Sequence, residues 1–139
     1  MIHIANAEFV MFSTRDWPVE SFTSEMEVCP TEYYKVGDKM NNCNRCKIET
    51  AWKLNKRLDC DIETPSDVLL AIVDILSPKL EIIKHYKEVH DLTCVLYLHA
   101  IFDDVIVPNV QLECAVIRFA HELDAKFDIY LNASPGVAC

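Results

Sequence analysis

Residues 46–54 read CKIETAWKL, and their alternation decides the fold class. Cys46, Ile48, Thr50, Trp52 and Leu54 fall in one phase, and Lys47, Glu49, Ala51 and Lys53 fall in the other. A period of two with one apolar and one charged phase is the pattern of a strand buried on one face and wet on the other. The phase makes Cys46 the first inward residue of that strand.

Working outward, EFVMF forms the dense centre of a first strand over residues 4–12. Asp16-Trp17-Pro18 then signals a turn that opens a short helix over residues 18–27, where the missing proline N–H costs nothing. Cys29-Pro30-Thr31 ends that helix, and residues 33–44 read as irregular, with the internal glycine Gly37 and the polar cluster Met40-Asn41-Asn42. On the other side, Thr64-Pro65-Ser66-Asp67 starts a helix that continues as VLLAIVDIL, apolar almost all round, as a helix lying against a sheet should be. Pro78 breaks it after Ser77, and a second piece runs from about Lys79 to Val89. Thr93 to Phe102 is a further strand, and Asp103-Asp104 begins a loop. Pro108 or Asn109 opens a third helix, with Leu112, Ala115, Val116, Phe119, Ala120 and Leu123 on one face. KFDIYL (residues 126–131) is the last strand, and ASPGVAC closes the chain as a flexible tail.

The order is strand–helix–strand, helices, strand–helix–strand. Each outer unit passes from an apolar strand through an acidic turn with a nearby proline to a helix, which suggests duplication. The expected fold is therefore α+β and ferredoxin-like: two strand–helix–strand units joined in one mainly antiparallel sheet, with helices packed on one face. Residues 1–132 make one domain and residues 133–139 the tail.

With 139 residues the chain can bury one substantial core. There is no apolar run of the ~18 residues that a spanning helix needs. The start, MIHIANAEFV, has neither the basic segment nor the small-residue cleavage site of a signal peptide, which points to the cytoplasm. Seven cysteines with no export signal fit a reduced compartment, and Cys94 and Cys114 sit inside apolar patterns where cysteine packs as a small hydrophobe.

The cysteine spacing that looks most chemical is Cys43-x-x-Cys46. A structural zinc needs four ligands, and Cys29 and Cys60 are distant in sequence, as are all five histidines. A redox dithiol would stand at a helix N-terminus, whereas the residues after Cys46 read as strand. With only Gly37 and Gly136, neither a dinucleotide fingerprint nor a P-loop can be written. No local signature assembles a nucleophile, base and orienter. The expectation is a protein without metal or other cofactor and without catalytic residues. The positive surroundings of Cys43 make it the candidate reactive thiol.

The net charge is −9, unevenly spread. Lys35, Lys39, Arg45, Lys47, Lys53, Lys56 and Arg57 crowd one segment, and the rest is strongly acidic. Such a surface repels nucleic acid and attracts basic partners.

Four stretches together resemble a small bacterial family of unknown function over about residues 8–132. They are CPTEYYKVGDK (29–39), ETAWKL (49–54), LLAIVDILSPKLEIIKHY (69–86) and AVIRFAHELDAKFDIYL (115–131). The positions that carry the likeness are Pro30, Thr31, Gly37, Asp38, Trp52, Pro78, Asp128, Ile129 and Tyr130. The resemblance implies a compact α/β domain with no known activity. Small, acidic, solitary domains of this kind are similar to immunity proteins encoded beside bacterial toxins. Cys43 and Cys46 depart from the family pattern.

The expectation is thus an acidic cytosolic binding protein, an immunity protein that neutralises a basic, nuclease-type toxin by direct contact. The contact residues would be Asp59, Asp61 and Glu63, or Asp16 with Asp103 and Asp104 if the two turns share an edge. The alternative is a regulatory domain that binds a small molecule or anion on an open sheet face through Lys47, Lys53 and Arg57, with Tyr33 or Tyr34. An enzyme using the acidic loops or the cysteines is the third reading.

Overall fold

A computed structural model of the chain describes residues 2–41, 43–62, 64–103 and 108–133, without the side chains of His3, Cys60, Asp61 and Ile62. The elements are β1 (Ile2–Ser13), α1 (Val19–Met26), β2 (Glu32–Tyr34), β3 (Thr50–Ile62), α2 (Asp67–Leu76), α3 (Leu80–His90), β4 (Thr93–Phe102), α4 (Cys114–Leu123) and β5 (Lys126–Ala133). Pro78 lies in a 3-10 turn, Ser77–Lys79, that joins α2 to α3.

The strands form one sheet in the order β2-β3-β1-β4-β5. β1 runs antiparallel to both β3 and β4, β2 is antiparallel to β3, and β4 is parallel to β5. The α+β class, the mainly antiparallel sheet and the one-sided helix layer are as expected. The two strand–helix–strand units close in different senses. Around α4 the strands are parallel neighbours, which requires a crossover connection that the helix supplies. Around α1 the flanking strands β1 and β2 run parallel but are not neighbours, because β3 lies between them and is antiparallel to both.

The inward phase of the sheet is continuous across strands. Ala5, Ala7, Phe9 and Met11 of β1 are buried beside Trp52 and Leu54 of β3 and Cys94, Leu96 and Leu98 of β4. Four helices cover this face with Val19, Phe22 and Met26 of α1, Leu69 and Ile72 of α2, Ile83 of α3, and Phe119 and Leu123 of α4. Phe22 is the hub: its ring meets those of Trp17, Trp52 and Tyr86 edge to face at 5.7, 5.3 and 5.1 Å. Each such contact contributes about 0.5–1.5 kcal/mol beyond the area buried. Trp17 Nε1 donates to the Thr50 carbonyl at 2.8 Å, tying the turn after β1 to the start of β3.

Three helices end on residues in the left-handed conformation: Glu27, Asp91 and Asp124, with φ of 55°, 54° and 48°. Glycine is the usual occupant of this position, and aspartate tolerates it better than glutamate.

Four expectations need correction. β3 begins at Thr50, so Cys46 and Ile48 are not inward strand residues: Cys46 is exposed and Ile48 is 80% exposed. The alternation over residues 46–49 belongs to a small hairpin, closed by Lys47 N–H to the Asp38 carbonyl (2.7 Å) and Met40 N–H to the Arg45 carbonyl (2.9 Å). β3 also runs on to Ile62, so Asp59 and Asp61 are strand residues, not loop residues. Glu32–Tyr34 forms an edge strand within the stretch expected to be irregular from residue 33. Finally, α4 starts at Cys114 rather than near Pro108.

Candidate functional site: the uncovered sheet face

The opposite phase of the same strands faces away from every helix. Val10 and Val95 are buried on this side yet lie outside the hydrophobic core, which draws its strand residues from the other face. Cross-strand register sorts the face into rows. Asn55 (β3), Glu8 (β1), Tyr97 (β4) and Asp128 (β5) make one row. Arg57, Asn6, His99 and Tyr130 make the next, and Asp59, Ile4, Ile101 and Asn132 the third. Residues directly opposite across a ladder share a face and come within interaction distance.

Hydrogen bonds knit the rows. Asn55 Nδ2 donates to Glu8 Oε2 at 3.3 Å, and Asn132 Nδ2 lies 2.7 Å from His99 Nε2. Arg57 Nε donates to Asp59 Oδ1 at 2.9 Å between two residues of the same strand phase. Burial raises the pKa of Tyr97, and the charges of Asp128 and Glu8 add to the effect. The phenol therefore stays protonated well into alkaline solution and remains a donor.

Toward β2 the face carries a second group. Lys47 Nζ sits 4.0 Å and Lys53 Nζ 5.2 Å from the centroid of the Tyr34 ring, and the Tyr34 hydroxyl donates to Glu49 Oε1 at 2.9 Å. Burial alone would lower the Lys53 pKa, but Tyr34, Glu8 and Glu32 outweigh it and hold the amine above its usual value. Lys47, Lys53 and Tyr34 thus come together as anticipated. Arg57 is engaged elsewhere with Asp59, and Tyr33 pairs with Trp52 in the other phase of the sheet.

The acidic candidates separate into two ends of the sheet. Asp59 stands on the uncovered face. The strand ends Ile62 and Phe102 both pair with Ile2, which brings the backbone of Asp61 and the half-buried Asp103 to the same end of the sheet. Asp16 lies beyond Ser13 at the opposite end, and its Oδ1 accepts from Thr50 Oγ1 at 2.9 Å. The length of β1, roughly 36 Å at the strand rise, separates it from Asp103, so Asp16 and Asp103 do not share an edge. Glu63, Asp104 and the tail from residue 134 lie outside the described residues.

Elsewhere, α1 and α2 with their caps carry Glu20, Glu25, Glu27, Asp67 and Asp74, all exposed, and neither helix has a lysine or arginine. Cys29, Cys43, Cys46 and Cys114 are exposed thiols, whereas Cys94 is buried and its pKa is pushed up to about 12. Among the described residues, no three His, Cys, Asp or Glu side chains converge to hold a metal ion, and no helix is long and apolar enough to cross a membrane.

Fold and surface together define a two-layer α+β domain in which, among the described residues, no helix covers one sheet face. The chain belongs to the family described as a domain of unknown function (DUF4279), which matches residues 3–134. No curated protein and no solved structure matches it.

Proposed function

We propose that this protein is a binding protein that neutralises a basic protein partner by direct contact, in the manner of an immunity protein that blocks a nuclease-type toxin. The observation that carries this reading is the uncovered face itself. Polar side chains stand in register across four strands there, and among the described residues no helix packs over them. A protein contact makes on the order of ten hydrogen bonds over a wide surface, and positioned polar groups of this kind supply them.

The net charge of −9 sets the sign of the partner. A nuclease domain must present a positive field to attract phosphate. An acidic protein can occupy that field and is drawn to it by electrostatic steering. Asp59, Asp61 and Asp103 edge the proposed contact surface, and Asp16 lies outside it. The working location is the cytoplasm, where a producing cell needs protection.

Co-expression with the polypeptide encoded next to this chain tests the proposal. A growth arrest caused by that polypeptide and relieved by this chain, together with a direct complex of the two, supports it. An arrest that persists, with no complex formed, refutes it.

A second reading is favoured by the convergence of Lys47 and Lys53 on Tyr34: a regulatory domain that binds a small anion. Thermal shifts with phosphate, sulfate and nucleotides would reveal it as a stabilisation lost in Lys53→Gln. No shift with any of them removes it.

A further inference from the structure

The uncovered face carries a groove of about 370 Å³ lined by Asn6, Glu8, Tyr97, His99, Tyr130 and Asn132. Its charge balance is one-sided: the lining holds the Glu8 carboxylate and no lysine or arginine. Asn6 Oδ1 is buried and has no hydrogen-bond partner. A buried acceptor left in that state costs stability until a donor reaches it. Glu8 spends one oxygen on a long 3.3 Å bond from Asn55, although a carboxylate has about four acceptor sites. Asp128 stands opposite Tyr97 and adds negative charge from β5. On the neighbouring strand Arg57 is committed to Asp59, and Lys53 lies over the Tyr34 ring while its charge also acts on Glu8 without a direct bond to it.

The groove therefore combines negative charge with an unanswered acceptor beside aromatic rings. That is the environment of a bound cation that is also a multiple hydrogen-bond donor. Shape selects among cations. Asn6 and Glu8 are two residues apart on one strand, about 6.6 Å at the strand rise. A lysine ammonium is a point charge and satisfies one such acceptor well. A guanidinium is a flat fork whose donors diverge, so it can bond Glu8 and, once the Asn6 amide turns into the groove, Asn6 Oδ1 as well, while its face rests on a tyrosine ring.

We infer that this groove receives the guanidinium of an arginine side chain presented by a protein partner. The source of the arginine rests on the proposed function, but the chemistry of the groove does not.

The test uses the full chain and N-acetyl-arginine N-methylamide as probe, followed by backbone amide NMR. Saturable shifts at Asn6, Glu8, Tyr97, His99 and Tyr130 are expected, and the uncharged citrulline analogue should produce none. Glu8→Gln should weaken the probe roughly ten-fold, the effect of losing one charge-assisted hydrogen bond. Asn6→Ala provides a second variant with the same direction of effect, and an unchanged amide spectrum outside the groove shows that each variant is folded. Equal binding of the citrulline analogue, shifts that map elsewhere, or wild-type affinity in both variants would overturn the inference. The partner protein separates this failure from the failure of the broader reading. A partner complex unaffected by Glu8→Gln removes the groove from the interface and leaves the binding function standing.

Discussion

Glu8 on β1 stands directly opposite Tyr97 on β4, and both side chains lie on the face that no helix covers. A carboxylate and a phenol placed as cross-strand partners on the wet side of a sheet contribute little to packing. Glu8→Gln and Tyr97→Phe should therefore leave the unfolding free energy within about 0.5 kcal/mol of wild type, as surface changes usually do. Urea denaturation measures this. A loss of several kcal/mol would mean that the face is covered and that its residues are structural.

Phe22 makes the opposite case. Its ring joins α1 to β3 and α3 through Trp52 and Tyr86. Phe22→Ala should destabilise the protein by about 3–5 kcal/mol, the range for removing a buried aromatic ring from a close-packed core. A cost below about 1 kcal/mol would contradict the helix layer described above.

Glu27 ends α1 with φ of 55°, a conformation that costs a residue with a side chain about 1–2 kcal/mol and costs glycine little. It also places a negative charge at the negative end of the helix dipole. Glu27→Gly should therefore stabilise, raising Tm by roughly 3 °C for a domain of this size. A lower Tm on calorimetry would show that Glu27 makes a compensating contact.

Two buried groups couple stability to alkaline pH. Burial pushes the Tyr86 phenol up to about 12, helped by Glu25, and pushes the Cys94 thiol up to about 12. Each is raised above its unfolded value, so the native state holds the proton more tightly than the unfolded chain. Their contribution is complete below the unfolded values of about 9 for the thiol and 10 for the phenol, and it is lost as pH rises toward 12. Stability should fall over that window, and Tyr86→Phe should flatten part of the decline. Ultraviolet titration of the phenols should show a titration near pH 12 in the wild type that is absent from Tyr86→Phe.

The fold was readable where burial writes a period. Phe9, Met11, Trp52, Leu54 and Leu96 mark the inward phase, and Pro78 marks the break between α2 and α3. It was misread where burial leaves no mark. Cys46 and Ile48 continue the apolar phase of β3 by coincidence while standing exposed in a hairpin. The end of β3 looked like an acidic loop because Arg57 and Asp59 face solvent there. The groove escaped for a related reason. Asn6 and Glu8 do sit in the polar phase of an otherwise apolar strand, and Tyr97 and His99 do likewise in β4. Only the register between β1, β4 and β5 brings these separate signals together. The cluster of Lys47, Lys53 and Tyr34 was accessible because its members lie close in sequence to the β2–β3 pairing.

The most direct test of the central claim is the affinity of the complex with a basic partner, measured by calorimetry as salt rises from about 50 to about 500 mM, where exposed charges become screened. If the acidic surface draws and holds that partner, affinity should fall at least ten-fold over this range, mainly through slower association. Affinity unchanged across the range would contradict the account.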